Sequence, residues 1–452
     1  MFRRLLIANR GEVAVRVARA CRDLEISPIG VASESDFGAR WLDCMDEVVC
    51  LGPSASRESY LRMDRVVQAA LQTHCAALHP GWGFLSENPR FAALCEQHGI
   101  TFVGPPSSAM EVMGRKAPAK AAMRAAGVPV IPGSIGLLTS VEEAVVCARE
   151  AGYPVILKAD AGGGGRGMRK CFDEAQLRTA FVQAAAEAEA AFGSGALYLE
   201  KYLEGGRHIE VQVMADRFGN CIHVGERECS VQRNHQKLVE ESPSPVIDAA
   251  TRARIGEIAV RAAKSIGYVG AGTIEFLRAD DGAIYFMEMN TRLQVEHGVS
   301  ELVSGLDLVK LQLHVAANGR LPLAQEGVKF SGSAIEVRIN AEDPSNGFRP
   351  APGTLAAFDF PRDVGPGTIR VDTHMQAGDA VSPYYDSLIA KVIAHAPTRE
   401  AAIETLLACL RRARIEGVAT TLPLHLVVLD SREFRSGTYD TRSIPGWPAA
   451  NR

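Results

Sequence analysis

The segment "EMNTRLQVEH" (288–297) holds the densest chemistry in the chain. If it is extended, alternate side chains share a face. Glu288, Asn290, Arg292, Gln294 and Glu296 then form a polar row, with Met289, Thr291, Leu293 and Val295 opposite. Apolar "AIYFM" precedes the row and places its start at the end of a buried strand. Glu275, in "GTIEFL" on the partner strand of a predicted hairpin, adds a carboxylate in apolar company. Buried carboxylates are costly unless a cation or donor compensates them. Two glutamates and an Asn oxygen are hard ligands suited to Mg²⁺ held jointly with substrate phosphates. The competing reading is a solvated polar face with an incidental ion pair, and the apolar neighbours weigh against it.

A second candidate is "KADAGGGGRGMR" (158–169). Its glycines satisfy G-x-G-x-x-G, but a dinucleotide fingerprint sits between a strand and a helix. Here both flanks, "VILKAD" and "MRKC", read as strands, and the next helix opens only near Asp173. Met168 after Gly167 excludes a P-loop. Two readings stay open: a plain hairpin turn, or a hairpin whose free backbone N–H groups fold over phosphates. Further candidates are Gln232, Arg233, His235 and Lys237 in "QRNHQK", and Arg338 in apolar "SAIEVRI". Lys116, Lys158, the run Glu200-Lys201-Tyr202-Leu203 and His208 are each weak in isolation. A solvated basic turn or a surface lysine explains any one of them.

These residues need elements to hold them. Residues 1–112 alternate short strands ("RRLLIA", "PIGVAS", "EVVCLG", "AALH") with helices, the pattern of an open α/β sheet. Asn88-Pro89 is an N-cap followed by an N1 proline. The loop "HPGWGFLSEN" leaves the C-terminal end of a strand, where such sheets bind ligands. From 113 to 332 the pattern is mixed, with strands "ALYLEKYL" and "HIEVQVMAD" around Gly205-Gly206 and a hairpin turning at Asp280-Asp281-Gly282. From 333 to 446 come "SAIEVRINAED", further β segments and a helix near Thr398–Arg414, and the tail "SIPGWPAANR" is expected to be loose. The fold class is thus α/β and α+β, multidomain.

Composition excludes several function classes. Apolar and charged fractions of 47% and 23% are those of a soluble globular protein. A net charge of −4 argues against non-specific nucleic-acid binding. The ten cysteines show no C-x-x-C or zinc-like spacing and are expected to be reduced thiols. No segment is long enough to span a bilayer, and Asn9, Arg10 and Glu12 break the early apolar run before it could act as a signal. A cytoplasmic location is expected.

In order, "IANRGE", "HPGWGFLSEN", Lys116, "KADAGGGGRGM", "EKYL", "RHIEVQV", "QRNHQK", "GTIEF", "EMNTRLQVEH", "RINAEDP" and "PYYDSLIAK" strongly resemble biotin carboxylase of the ATP-grasp superfamily. The resemblance implies an N-terminal α/β domain, an ATP-grasp domain with a mobile glycine-rich lid at about 131–203, and a C-terminal biotin carboxylase domain. It implies that Lys116, Lys158, Gly164 and Gly165 contact ATP phosphates. Glu200, Lys201, Tyr202 and Leu203 would bind adenine, with His208, Gln232 and His235 at further nucleotide positions. Glu275, Glu288 and Asn290 would hold Mg²⁺ or Mn²⁺. Lys237, Arg292, Gln294 and Val295 would hold bicarbonate, Glu296 would be its base, and Arg338 would steady deprotonated biotin.

The 452 residues contain no A-M-K-M-like biotinylation motif. The resemblance therefore implies a homodimeric subunit acting on biotin of a separate carboxyl carrier protein, beside a carboxyltransferase, as in acetyl-CoA carboxylase-type enzymes of fatty acid synthesis. Ala161, Trp82, Asn234 and Gly298 depart from the commonest family pattern. Three rivals remain: another ATP-grasp ligase, a non-catalytic ATP-binding module, and a dehydrogenase. "RLQVEH" with Arg338 disfavours the first, the retained glutamates and arginines the second, and the strand–loop–strand context the third.

Overall fold

The computed structural model describes residues 1–160 and 168–448. Ala161, Gly164 and Gly165 lie outside the described residues. In the first strand, β1 (Arg4–Ile7), successive side chains point to opposite faces, and both faces are buried. Leu5 and Ile7 join one core with Val13 and Val17 of the helix Gly11–Asp23, while Leu6 and Ala8 join another with Val66 and Phe91. The other strands are β2 (Ser27–Ser33), β3 (Glu47–Gly52), β4 (Ala77–His79) and β5 (Thr101–Phe102). They form a parallel sheet in the order β3-β2-β1-β4-β5. Chain direction across the sheet reverses between β1 and β4, where ligands of open α/β sheets bind. The two loops leaving that point are tied together, since Asn9 donates to the carbonyls of Pro80 (2.7 Å) and Trp82 (2.8 Å). Asn88 caps the helix Pro89–Gln97 as expected, accepting from the backbone of Arg90 and Phe91.

Beyond residue 130 the chain builds a small sheet of β6 (Val155–Ala159), β7 (Met168–Cys171) and β8 (Leu197–Lys201), antiparallel in the order β7-β6-β8. The glycine run thus does connect two paired strands. Helices Val141–Ala151 and Glu174–Phe192 cover the sheet, the second capped by Asp173, whose side chain accepts from Gln176 N–H at 2.8 Å. Gly205 and Gly206 do not close a hairpin, because the strands on either side belong to different sheets.

That second sheet has eight antiparallel strands. It contains β9 (Arg207–Ala215), β10 (Cys221–Arg233), β11 (Gln236–Ser242), β12 (Gly270–Arg278), β13 (Ile284–Asn290) and β14 (Ser333–Asn340). The order is β13-β12-β9-β10-β11-β14, then Leu388–Ala396 and Thr368–Thr373. The ladder therefore runs unbroken from the central region into the C-terminal one, with Val239 opposite Val337 and Glu240 opposite Glu336. The tail is less loose than its composition suggests. Ile444 and Trp447 pack against the C-terminal core, and only residues 449–452 lie outside the description.

Where the chain enters the small sheet, Gly133 has φ +154° and forms a bridge to Glu200. A Cβ there would lie 2.1 Å from the Leu199 carbonyl oxygen and 2.8 Å from Glu200 Cα, both backbone atoms that cannot step aside. Gly133→Ala is expected to lower stability by about 1–3 kcal/mol, the usual range for overpacking. Denaturant unfolding of the two proteins checks this, and equal midpoints would refute the close approach.

Candidate active site

The register of the large sheet gathers charge onto one face. Glu288 on β13 stands opposite Glu275 on β12, Glu275 opposite Glu210 on β9, and Glu210 opposite Arg227 on β10. Farther along, Glu240 faces Glu336, and Arg338 faces Lys391. Lys237 sits amid this row. Its ammonium donates to Glu275 (2.9 Å), Glu296 (2.6 Å) and Glu210. Arg338 bridges Glu240 (2.6 Å) and Glu296 (2.8 Å). Arg227, wholly buried, pairs with Glu210 and donates to Gln212 (2.8 Å), Ser300 (2.9 Å) and Thr273 (3.0 Å).

These contacts set the protonation states. Burial alone would raise the Glu296 and Glu275 carboxyls. For Glu296 the charges of Lys237, Arg338 and Arg227 override it and hold the group well below the usual carboxylate range. Lys237 and His208 do the same for Glu275. Burial works against the Lys237 ammonium, but its three glutamates raise it well above the usual value. Three cations, Lys237, Arg227 and Arg338, thus face three carboxylates, Glu210, Glu275 and Glu296. Glu240 and Glu336, opposite each other, are extra acids, and burial holds the Glu336 carboxyl well above its usual range. For Glu240, burial and the Glu296 charge outweigh Arg338 and push the carboxyl up to about 7. Cys229 lies near Glu210 and Glu296, and burial together with the Glu210 charge keeps its thiol protonated.

The polar row expected over 288–296 is only partly extended. The strand ends at Asn290, and Glu296 is already the residue before the helix His297–Ser304. Glu288 and Asn290 share a strand face as expected, but Arg292 and Gln294 reach the cleft from irregular backbone, and Glu296 is wholly buried behind its lining. Val295, placed on the opposite side by strict alternation, lines the cleft with Arg292 and Gln294. Arg292 is held from outside the segment. Glu87 accepts from its Nε at 2.9 Å and from the Thr291 N–H at 2.9 Å. Its other nitrogens donate to Gln294 (2.9 Å) and Asn290 (3.1 Å), while Asn290 and Gln294 donate to Glu275 at 2.8 and 3.2 Å.

Above this floor is a cleft of about 1560 Å³, walled by the small sheet on one side and by Trp82 of the first domain on another. Lys116 and Lys158 both enter it. Glu200 accepts from Lys158 and from Lys120 (2.9 Å), so a carboxylate clamps two ammoniums on the cleft wall. Burial favours protonation of Glu200, yet the two lysines hold it below its ordinary value. Tyr202, Leu203, His208, Gln232 and His235 also line the cleft. Lys201 does not. Its ammonium donates to the carbonyls of Gly152 (3.0 Å) and Tyr153 (2.8 Å), leaving only its main chain for a ligand. Asn234 and His235 form a left-handed turn at the cleft mouth (φ +47° and +67°).

The donor set at the cleft floor suits a hard divalent cation. Glu288 opens into the cleft, and lost hydration and then the Glu275 charge raise its carboxyl. A cation beside Glu275, Glu288 and Asn290 would relieve that repulsion. Clustered lysines and arginines beside buried carboxylates can neutralise polyphosphate and hold a small oxyanion.

Models of three protein families match consecutive parts of the chain. They are the biotin carboxylase N-terminal domain (residues 1–110), the carbamoyl-phosphate synthase L chain ATP-binding domain (115–324) and the biotin carboxylase C-terminal domain (336–445). "Biotin carboxylase 1" of Bacillus subtilis is 50% identical over 445 residues, covering 98% of each chain. The chain belongs to the biotin carboxylase family. Among solved structures, a biotin carboxylase–β,γ-ATP complex from Campylobacter jejuni superposes with a TM-score of 0.92 at 47% identity, covering 98% of each chain. The biotin carboxylase domain dimer of Hydrogenobacter thermophilus 2-oxoglutarate carboxylase, in complex with MgADP, ADP and bicarbonate, gives 0.90 at 48%, covering 98% of this chain and 97% of that one. The three-domain architecture is that of a biotin carboxylase, and the activity is ATP-dependent.

Several groups in this biotin carboxylase escaped the sequence reading: Glu87, Lys120, Glu210, Arg227 and Glu240. Lys120 carried a signal, lying one helical turn beyond Lys116. Glu210 and Arg227 are charged residues buried within their strands, a pattern that calls for internal pairing. Gly298 has a clear reason. A Cβ there would meet Ile393 Cδ1 at 2.4 Å and Glu336 Oε2 at 3.2 Å, so Ile393 fills the space a larger residue would need.

The Glu240 shift fixes a sign. Its native pKa of about 7 lies above the ordinary 4.5, so its contribution is fully present below pH 4.5 and is lost as pH rises through 7. Glu240→Gln is therefore expected to reduce the loss of stability between pH 5 and pH 8 by about 1–3 kcal/mol. Unfolding curves at the two pH values measure it, and an unchanged difference would count against the surplus-acid account.

Proposed function

We propose that this biotin carboxylase carries out the first half-reaction of a biotin-dependent carboxylase, on biotin attached to a separate carrier protein. The observation carrying this reading is the placement of Glu296 between Lys237 and Arg338, with Arg292 bonded to Gln294 two residues before it in the chain. Lys116, Lys158 and the glycine run bind the ATP phosphates. Tyr202, Leu203 and the main chain of Lys201 receive adenine, with His208, Gln232 and His235 alongside. Glu275, Glu288 and Asn290 hold Mg²⁺ or Mn²⁺, which when bound neutralises charge on the polyphosphate.

Bicarbonate lies against Lys237, Arg292, Gln294 and the Val295 main chain. Glu296 is ionised and so can accept a proton. Its paired cations lower its basicity, but the same cations lower the pKa of bicarbonate, which keeps the transfer feasible. The freed oxygen attacks the γ-phosphorus as the bond to ADP breaks, giving carboxyphosphate. Lys237 offsets negative charge at the transferred group. Carboxyphosphate divides into CO₂ and phosphate, phosphate takes the proton of biotin N1′, and Arg338 steadies the ureido anion that captures CO₂. Closure of the small sheet as a lid keeps water from the labile intermediate.

The domain limits near 112 and 332, a cytoplasmic location, a homodimer, and partnership with a carrier protein and a carboxyltransferase belong to the same proposal. The carboxyltransferase, not this chain, selects the final carboxyl acceptor, and a relative of this similarity works in 2-oxoglutarate carboxylase. The purified protein is expected to hydrolyse MgATP only when bicarbonate and free biotin are both supplied. Biotin-independent turnover with a carboxylic acid and an amine would overturn the reading in favour of another ATP-grasp ligase. Glu296→Gln is expected to abolish turnover while nucleotide affinity, read by calorimetric titration, stays within about threefold. Near-normal turnover would remove Glu296 from the role of base.

A further inference from the structure

Lys391, on the strand Leu388–Ala396, is wholly buried and takes no part in the chemistry just described. Its ammonium donates to the Val295 carbonyl at 2.8 Å. It lies 3.1 Å from Glu12, in the first turn of the N-terminal domain's helix Gly11–Asp23, and 3.8 Å from Asp372. Asp372 is held by Arg370 (2.7 Å), Arg370 also reaches Glu301 (2.7 Å), and Glu301 accepts from Arg16 (2.7 Å) on the same N-terminal helix. "NRGE" and "SLIAK", two motifs the proposed chemistry leaves without a task, therefore meet behind the anion site.

The position of the bond matters. Residues 291–296 lie outside both the strand that precedes them and the helix that follows, so no regular ladder fixes their peptide planes. The Gln294 carbonyl accepts from His297, and the Glu296 carbonyl from the Val299 N–H. The carbonyl between them is taken by Lys391. Fixing that carbonyl fixes the Val295–Glu296 peptide plane, and with it the directions in which Val295 and Glu296 leave the main chain.

We propose that Lys391, clamped by Glu12 and Asp372, is a positioning residue for bicarbonate activation that sets the Gln294–Glu296 segment through the Val295 carbonyl. This rests on the bicarbonate reading of that segment given above. A merely structural ion pair would affect every substrate alike, whereas a positioning role affects bicarbonate selectively.

The test uses the full chain with Lys391 and Glu12 replaced together, Lys391→Met with Glu12→Gln, which removes one buried cation and one buried anion and preserves the charge balance. In steady-state turnover, KM for bicarbonate is expected to rise by up to about 100-fold, the scale of a 1 Å misplacement, with KM for ATP within about twofold. If the double variant does not fold, Glu12→Gln alone decides, with a selective rise in the bicarbonate KM expected. Equal losses toward ATP and bicarbonate, or no loss toward either, would overturn the proposal. Wild-type protein without bicarbonate-dependent turnover would overturn the functional reading as well, whereas active wild type beside an unaffected variant sinks this proposal alone.

Discussion

Lys237 is surrounded by three glutamates, and none of these four groups could be removed from water singly. An isolated buried charge costs several kcal/mol even after relaxation, and breaking one member of such a set leaves the others uncompensated. The solution is a balanced lattice in which Lys237, Arg227 and Arg338 neutralise Glu210, Glu275 and Glu296. Much of the surrounding architecture follows from this requirement. The strands must be in a register that puts acids and bases directly opposite, and the helix His297–Ser304 must sit close enough for Ser300 to complete the Arg227 shell. Gly298, whose Cβ position is crowded by Ile393 and Glu336, lets that helix approach the sheet.

Preorganisation is the return on that arrangement. Glu296 is already ionised, and its two oxygens already point at different cations. Arg292 is oriented by Glu87 from the first domain and by Gln294 and Asn290 from its own segment. Little side-chain reorganisation then remains for the moment of reaction. The opposite wall is simpler. Glu200 keeps Lys120 and Lys158 from repelling each other, and a polyphosphate can take over part of that task. One wall is a lattice of paired acids and bases, and the other offers two lysines that share one carboxylate.

What the sequence made legible was local. Glu275, Glu288 and Asn290 stand out because apolar residues surround them. The strand–loop–strand context around the glycine run was readable from periodicity, as were the Asn88 and Asp173 caps. Missed features depended on distant pairing. Glu87 lies 205 positions before its partner Arg292, and although its loop stood out as a ligand-binding strand end, nothing local pairs it with that arginine. Glu210 and Arg227 gain meaning only once β9 and β10 are aligned. Strict alternation misplaced Val295 because the backbone leaves the extended form after Asn290. The docked tail escaped notice because Trp447 sits in a Pro/Gly-rich stretch, while its burial is decided by the C-terminal core.

The unbroken ladder from β13 to Thr368–Thr373 also limits how the chain can be divided. Between β11 and β14 there is no flexible seam, only paired backbone at the interior of a sheet. A polypeptide stopped near residue 332 would leave β11 as a raw edge, its unpaired N–H and C=O groups open to any passing strand. Gene fusions, splits and tags are thus better tolerated at the outer margins of the molecule than at the junction near residue 332. The acid–base lattice and the C-terminal region thus share one continuous hydrogen-bonded sheet.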